Sequence, residues 1–179
     1  ALVCSVLTVV LIFTFAVRIV RVSGESMRET LQDQDMLVVL NNWLCGGYEQ
    51  GDIVILQRDD FYGGEPIVKR VIATGGQTVD IDFETGAVYV DGTLLEEDYM
   101  NELTFVEEGT EFPLTVPESS IYVMGDNRNH SSDSRDASLG TVDTRYVIGR
   151  AVLLAFPGAD ETTGKRDFGR IGLIGGVDA

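Results

Sequence analysis

The sequence predicts a mainly β fold, an antiparallel sheet or coiled barrel, behind one N-terminal transmembrane helix. Three features point there. Short apolar runs of strand length recur along the chain, each bounded by turn-forming residues. One stretch, Val79-Asp80-Ile81-Asp82-Phe83, alternates strictly, as a half-buried strand does. Long amphipathic helical patterns are missing, and 179 residues suit one full domain rather than two large ones.

The elements follow in order. Leu2 to Val17 is an apolar run without charge. It would span roughly 24 Å as a helix, a little short of the ~30 Å hydrocarbon core of a bilayer. Ala1 is not an initiator methionine, so a longer span with a truncated start is expected, with residues 1–18 as the anchor and 19–179 as the β-rich body. A buried core helix or the apolar part of a cleavable signal sequence would look similar, but no small-x-small cleavage pattern follows. Met36 to Leu40, Ile53 to Leu56 and Ile67 to Ala73 come next as strands. Glu84-Thr85-Gly86 turns the alternating strand back into Ala87 to Val90, and Asp91-Gly92 is a hairpin-type turn. Thr93 to Glu118 is acidic and irregular, a surface excursion with weak strand signals. Ile121 to Met124 and Val147 to Ala155 complete the strands, and the apolar stretch Phe168 to Ile174 is placed either back on the body or against lipid.

Composition removes several function classes. Twenty-nine acids against 13 bases give a formal charge of -16, which repels phosphates and excludes a nucleic acid partner. Cys4 lies in the apolar run and Cys45 in the body, so no bridge between them is expected. Two thiols and the single histidine, His130, form no zinc pattern.

Three polar segments interrupt the apolar pattern. The first, Gly24-Glu25-Ser26-Met27-Arg28-Glu29-Thr30-Leu31, holds a serine after a turn-prone glycine. The second, Val68-Lys69-Arg70-Val71, puts a lysine inside a strand-like apolar run. The third, Gly125 to Arg135, packs Asp126, Asn127, Arg128, Asp133 and Arg135 behind a strand, dense enough for a buried ion-pair network if every member is partnered. A serine hydroxyl is a poor nucleophile without a neighbouring base. His130 sits in a polar, turn-like stretch and reads as a solvated loop residue. Lysine can serve when neutral: its free pKa is about 10.4, and burial lowers it by up to about 3–5 pH units. Strand alternation alone allows the opposite arrangement, with Lys69 outward and Arg70 inward.

Together the three segments resemble the type I signal peptidases of bacteria, the serine–lysine membrane peptidases, in their compact Gram-positive form. The family box Ser-Met-x-Pro-Thr-Leu is similar to Ser26-Met27-Arg28-Glu29-Thr30-Leu31, with Glu29 where proline is usual. Lys-Arg-Val stands at Lys69-Arg70-Val71, and Gly-Asp at Gly51-Asp52. The eleven-residue box Gly-Asp-Asn-Arg-x-x-Ser-x-Asp-Ser-Arg is matched in full from Gly125 to Arg135, and it is the specific part of the resemblance.

The resemblance implies an endopeptidase that removes signal peptides from exported preproteins through an acyl-enzyme. Ser26 would be the nucleophile and Lys69 the general base. Ser131 would orient the Lys69 amine. Asp133 and Arg135 would brace that loop, with Asp126, Asn127 and Arg128 in support. The Ser26 backbone amide would be one oxyanion donor. Gly24 occupies the second donor's position, where some relatives carry a serine hydroxyl that this chain lacks. Val20, Val22, Met27, Leu31, Ile67 and Val68 are candidate walls of shallow pockets for small residues before the cut, with ordinary core as the other reading of each. The substrate would bind extended, as an added strand. No metal or cofactor is implied. Partners would be preproteins, the lipid bilayer and the export machinery, with the body on the extracytoplasmic side of the cell membrane. Three rival readings remain: a signal-peptidase-like processor of pilins or surface proteins, a catalytically inactive surface-binding domain, and a soluble self-cleaving repressor-like protein with the same Ser–Lys pair.

Overall fold

The computed structural model describes residues 2–100, 102–160 and 162–175. Helix α1 (Leu2–Phe15) carries no charge, and nearly all its described side chains are exposed. Its 14 residues span about 21 Å at 1.5 Å each. Among the described residues, no helix is long and apolar enough to cross a membrane. The helix ends short of the expected residue 18 because β1 (Val17–Arg21) begins there. Its β-branched Val17, Ile19 and Val20 favour extended backbone, and β2 (Met36–Asn41) pairs with it from Val17↔Leu40 to Arg21↔Met36. A short helix, α2 (Asn42–Cys45), follows β2.

The body is one large curled antiparallel sheet with a smaller sheet beside it. The large sheet also contains β3 (Ile53–Leu56) and β4 (Ile67–Thr74). The smaller is built from β5 (Thr78–Asp82), β6 (Ala87–Val90), β7 (Thr93–Leu94) and β8 (Leu114–Thr115), in the order β7-β6-β5-β8. The chain then returns to the large sheet through β9 (Ser120–Met124), β10 (Val142–Asp143), β11 (Val147–Phe156) and β12 (Gly172–Leu173). The large sheet's order is β1-β2-β11-β3-β4-β9-β10, with β12 also on β11. Strand β11 shifts register three times against β2 and β3, and such bulges increase twist and curl the sheet.

Most of the predicted strands form within a residue or two of their expected limits. In β5, Val79 and Ile81 are buried and Asp80 is exposed, as the alternation requires. Asp91 and Gly92 both take positive φ, 51° and 76°, the combination a two-residue hairpin turn demands. The acidic excursion contributes β7 and β8 at its ends. The apolar tail packs onto the body: β12 pairs with β11, and Phe168 meets Phe156 edge-on at 5.6 Å.

Strand β4 decides the architecture of the site. It runs between β3 and β9, and five consecutive residues, Lys69 to Ala73, are buried. Both faces are covered, so alternation sends neither Lys69 nor Arg70 to water; the two charges are buried on opposite sides of one strand. Strand β9 pairs only with Arg70 to Thr74. The stretch Ile67–Lys69 is therefore unpaired on that edge among the described residues.

Candidate active site

Ser26 lies in the turn between β1 and β2, and Lys69 reaches it from β4. Lys69 Nζ is 2.7 Å from Ser26 Oγ. Lys69 is 3% exposed, whereas Ser26 is only half-buried. The pair opens into a cleft of about 400 Å³ that is also lined by Gly24, Ile67, Glu108, His130 and Ser131. A larger depression of about 640 Å³ lies on the Arg70 side and includes Thr30 and Tyr99 but neither Ser26 nor Lys69.

Burial pushes the Lys69 amine from 10.5 down to about 8, because the charged form loses water. The negative charge of Asp133 opposes that fall and the positive charge of Arg135 adds to it. A useful fraction of the amine is then neutral near pH 8, with a lone pair in hydrogen-bonding reach of a hydroxyl.

The Gly125–Arg135 loop holds this geometry. Asn127 donates its backbone N–H to the Ser26 carbonyl at 3.0 Å and its side-chain amide to the Glu25 carbonyl at 3.1 Å. Gly125 has no room for a side chain, since an added Cβ would stand 2.4 Å from the Ser26 carbonyl oxygen and 2.2 Å from Ser131 Oγ. Asp133 accepts from the Gly125 N–H at 2.9 Å, from the Ser131 hydroxyl at 2.8 Å and from Arg135 on both oxygens. Burial works to raise the Asp133 carboxyl; the Arg135 hydrogen bonds and charge, with Lys69, outweigh it and hold the group below the usual carboxylate range. Arg135 spends its remaining donors on the carbonyls of Arg128, Ser131 and Val106.

A second buried pair fastens the other face. Arg70 meets Asp126 bidentately at 2.8 and 2.7 Å and donates to the Gly51 carbonyl at 3.0 Å. Thr30 donates to the same Asp126 at 2.6 Å. One carboxylate thus joins the serine segment, the lysine strand and the eleven-residue box. Arg128 is buried against Glu97, which it grips with both terminal nitrogens, and also bonds the Gly125 carbonyl at 3.0 Å.

Several expected roles change. Ser131 gives its hydroxyl to Asp133, and among the described residues Lys69 Nζ hydrogen-bonds only Ser26. Ser131 therefore makes no hydrogen bond to the amine and is tied to Asp133 instead. The Gly24 amide donates to Asp33 at 2.9 Å, so that N–H is already engaged. The Ser26 amide has no hydrogen-bond partner among the described residues. Of the six candidate wall residues, only Ile67 lines the cleft. Val22, Met27 and Leu31 are buried in a core cluster with Leu37, Val39 and Ile55, and Val20 and Val68 pack against it. Their apolar character serves the core because the turn after β1 folds them inward.

Other contributors were not singled out from sequence. Thr30 and Gly51 stand in matched segments that assign them no role, and the motif and the strand alternation say nothing of Arg70 as the partner of Asp126. Glu97, Thr104 and Glu108 lay in the excursion, where a surplus of acids gave no signal of which one meets Arg128. His130, exposed as expected, lines the cleft.

A hydroxyl and a buried amine of lowered pKa stand side by side at a cleft, an arrangement in which an amine can activate a serine. The family model described as signal peptidase, peptidase S26, matches residues 1–156. The chain belongs to that family and is a peptidase of the signal peptidase class. It is 34% identical over 165 residues to signal peptidase I of Bacillus licheniformis, covering 88% of this chain and 86% of that one. It is 31% identical over 166 residues to signal peptidase I S of Bacillus subtilis, with the same coverage. Against signal peptidase I of Mycobacterium tuberculosis it is 44% identical over 108 residues, only 36% of that longer protein.

Proposed function

We propose that this protein removes signal peptides from exported preproteins, with Ser26 as nucleophile and neutral Lys69 as general base. The observation that carries the reading is the 2.7 Å approach of the buried Lys69 amine to Ser26 Oγ. Lys69 takes the Ser26 proton as the oxygen attacks the scissile carbonyl, then gives it to the leaving amine as the acyl-enzyme forms. It next deprotonates the water that releases the acyl group. The unengaged Ser26 amide stabilises the oxyanion. The substrate lies extended along the free edge of Ile67–Lys69, its backbone adding a strand. Asp133, Arg135, Ser131 and Asn127 fix the serine turn, while Asp126, Arg70 and Arg128 brace the strand beneath it.

Helix α1 is read as membrane-embedded, because a charge-free apolar helix with exposed side chains is unfavourable in water. Exported preproteins as substrates put the body, in this reading, at the extracytoplasmic surface, beside leaders that share the bilayer, and tethering raises their effective concentration. The export machinery is the partner this location implies.

A cleavage assay on a preprotein tests the reading. Ser26→Ala and Lys69→Ala are expected to lose activity entirely while keeping the wild-type circular dichroism spectrum. Retained cleavage by Lys69→Ala would refute the base assignment. A serine-directed acylating inhibitor that fails to label Ser26 would favour an inactive binding domain instead. Profiling pilin-type against Ala-x-Ala precursors separates the general from the narrow processor.

A further inference from the structure

The foot of α1 is held by side chains from the body. Carbonyls in a helix's last turn lack intrahelical partners. Here the Phe15 carbonyl accepts from Trp43 Nε1 at 3.2 Å and from the Asn41 side-chain amide. The Ala16 carbonyl accepts from the Asn41 backbone at 2.9 Å. Trp43 belongs to α2, which is itself fixed: Asn42 donates to the Thr144 carbonyl at 3.2 Å and accepts from the Tyr48 hydroxyl at 2.5 Å. Trp43 is therefore placed by hydrogen bonds and yet 68% exposed, beside Leu44 at 40% and near Tyr146 at 48%. Trp43, Tyr146, Arg18 and Arg145 line one shallow depression at the helix foot. No carboxylate lines it, in a chain of net charge -16. Arg145 pairs with Asp143 at 2.9 Å, and among the described residues Arg18 makes no ion pair.

A large ring left in water forgoes its burial energy, whereas the boundary between lipid and water accepts an apolar body with a satisfied N–H. We propose that Trp43, with Leu44 and Tyr146, forms a collar that seats the foot of α1 in the headgroup layer of a bilayer, the partner being the lipid surface itself. The collar continues the face of α1 and rests on the reading of that helix as membrane-embedded.

Trp43 is the single tryptophan of the chain, so intrinsic fluorescence reports this site alone. The full chain is reconstituted into vesicles of phosphatidylcholine and phosphatidylglycerol. The collar predicts a blue-shifted emission, with stronger quenching by lipids brominated near the glycerol end of the acyl chain than near its methyl end. Resistance of vesicle association to alkaline carbonate reports α1 separately. Carbonate-resistant protein whose Trp43 emission stays water-like and unquenched would overturn the collar and leave the helix reading standing. Loss of association in carbonate would remove the embedded helix on which the collar rests. A blue shift without lipid that grows with protein concentration would assign Trp43 to contact between copies and also overturn it.

Discussion

Burying a lysine amine inside a strand has a thermodynamic consequence. The Lys69 pKa falls from 10.5 to about 8 in the folded chain, so at pH 7 its ammonium opposes folding by on the order of 3 kcal/mol. The native state binds its proton less readily than the unfolded chain does. That cost is full below about pH 8 and disappears as pH rises toward 10.5. Lys69→Met should therefore unfold at higher urea than wild type at pH 7, with the gap narrowing between pH 8 and 10.5. Equal urea midpoints across that range would show that the amine is not being forced neutral. Glu108 bears on the same group. Its Oε2 is buried without a hydrogen-bond partner among the described residues, and burial first, then the charge of Asp133, raises its carboxyl. When ionised, Glu108 favours the charged form of Lys69. Glu108→Gln should move the acidic limb of kcat/KM to lower pH, by roughly half a unit for partly screened charges. An unmoved limb would place Glu108 outside electrostatic reach of the base.

At the scale of elements, the site is a strand and two loops stitched by buried ion pairs. Asp133 serves the Gly125 amide, Ser131 and Arg135 at once. Removing one partner of such a buried pair costs about 3–5 kcal/mol, because the other charge is left alone. Asp133→Ala should mainly lower the urea midpoint and the yield of folded protein. A fully stable but inactive variant would give Asp133 a direct chemical part instead. Elements with a buried periodic face were legible in the sequence: β5 through its alternation, the β6–β7 hairpin through Asp91-Gly92, and β4 through apolar residues that outweigh Lys69 and Arg70. Strand β1 was hidden because it continues the apolar run of α1, and its identity depends on β2 lying alongside. Pairing between Arg128 and Glu97 was illegible, since long-range contacts in irregular segments leave no period. Apolar type alone also failed to separate cleft from core at Met27 and Leu31, where the fold of the turn decides.

At the scale of the molecule, the three polar segments converge because Asp126 and Asn127 physically join them, through Thr30, Arg70 and the Ser26 carbonyl. The specific box was legible as a motif; its function as a clasp required coordinates. Catalysis by this pair depends on an amine whose neutral form is well populated near pH 8. The chain has only two lysines, Lys69 and the exposed Lys165. A nuclear magnetic resonance titration of protein labelled at lysine Cε therefore yields two resolvable curves. The curve lost in Lys69→Met is expected to have its midpoint at about 8. A midpoint for Lys69 at or above about 10.4, the value of a free lysine, would contradict it.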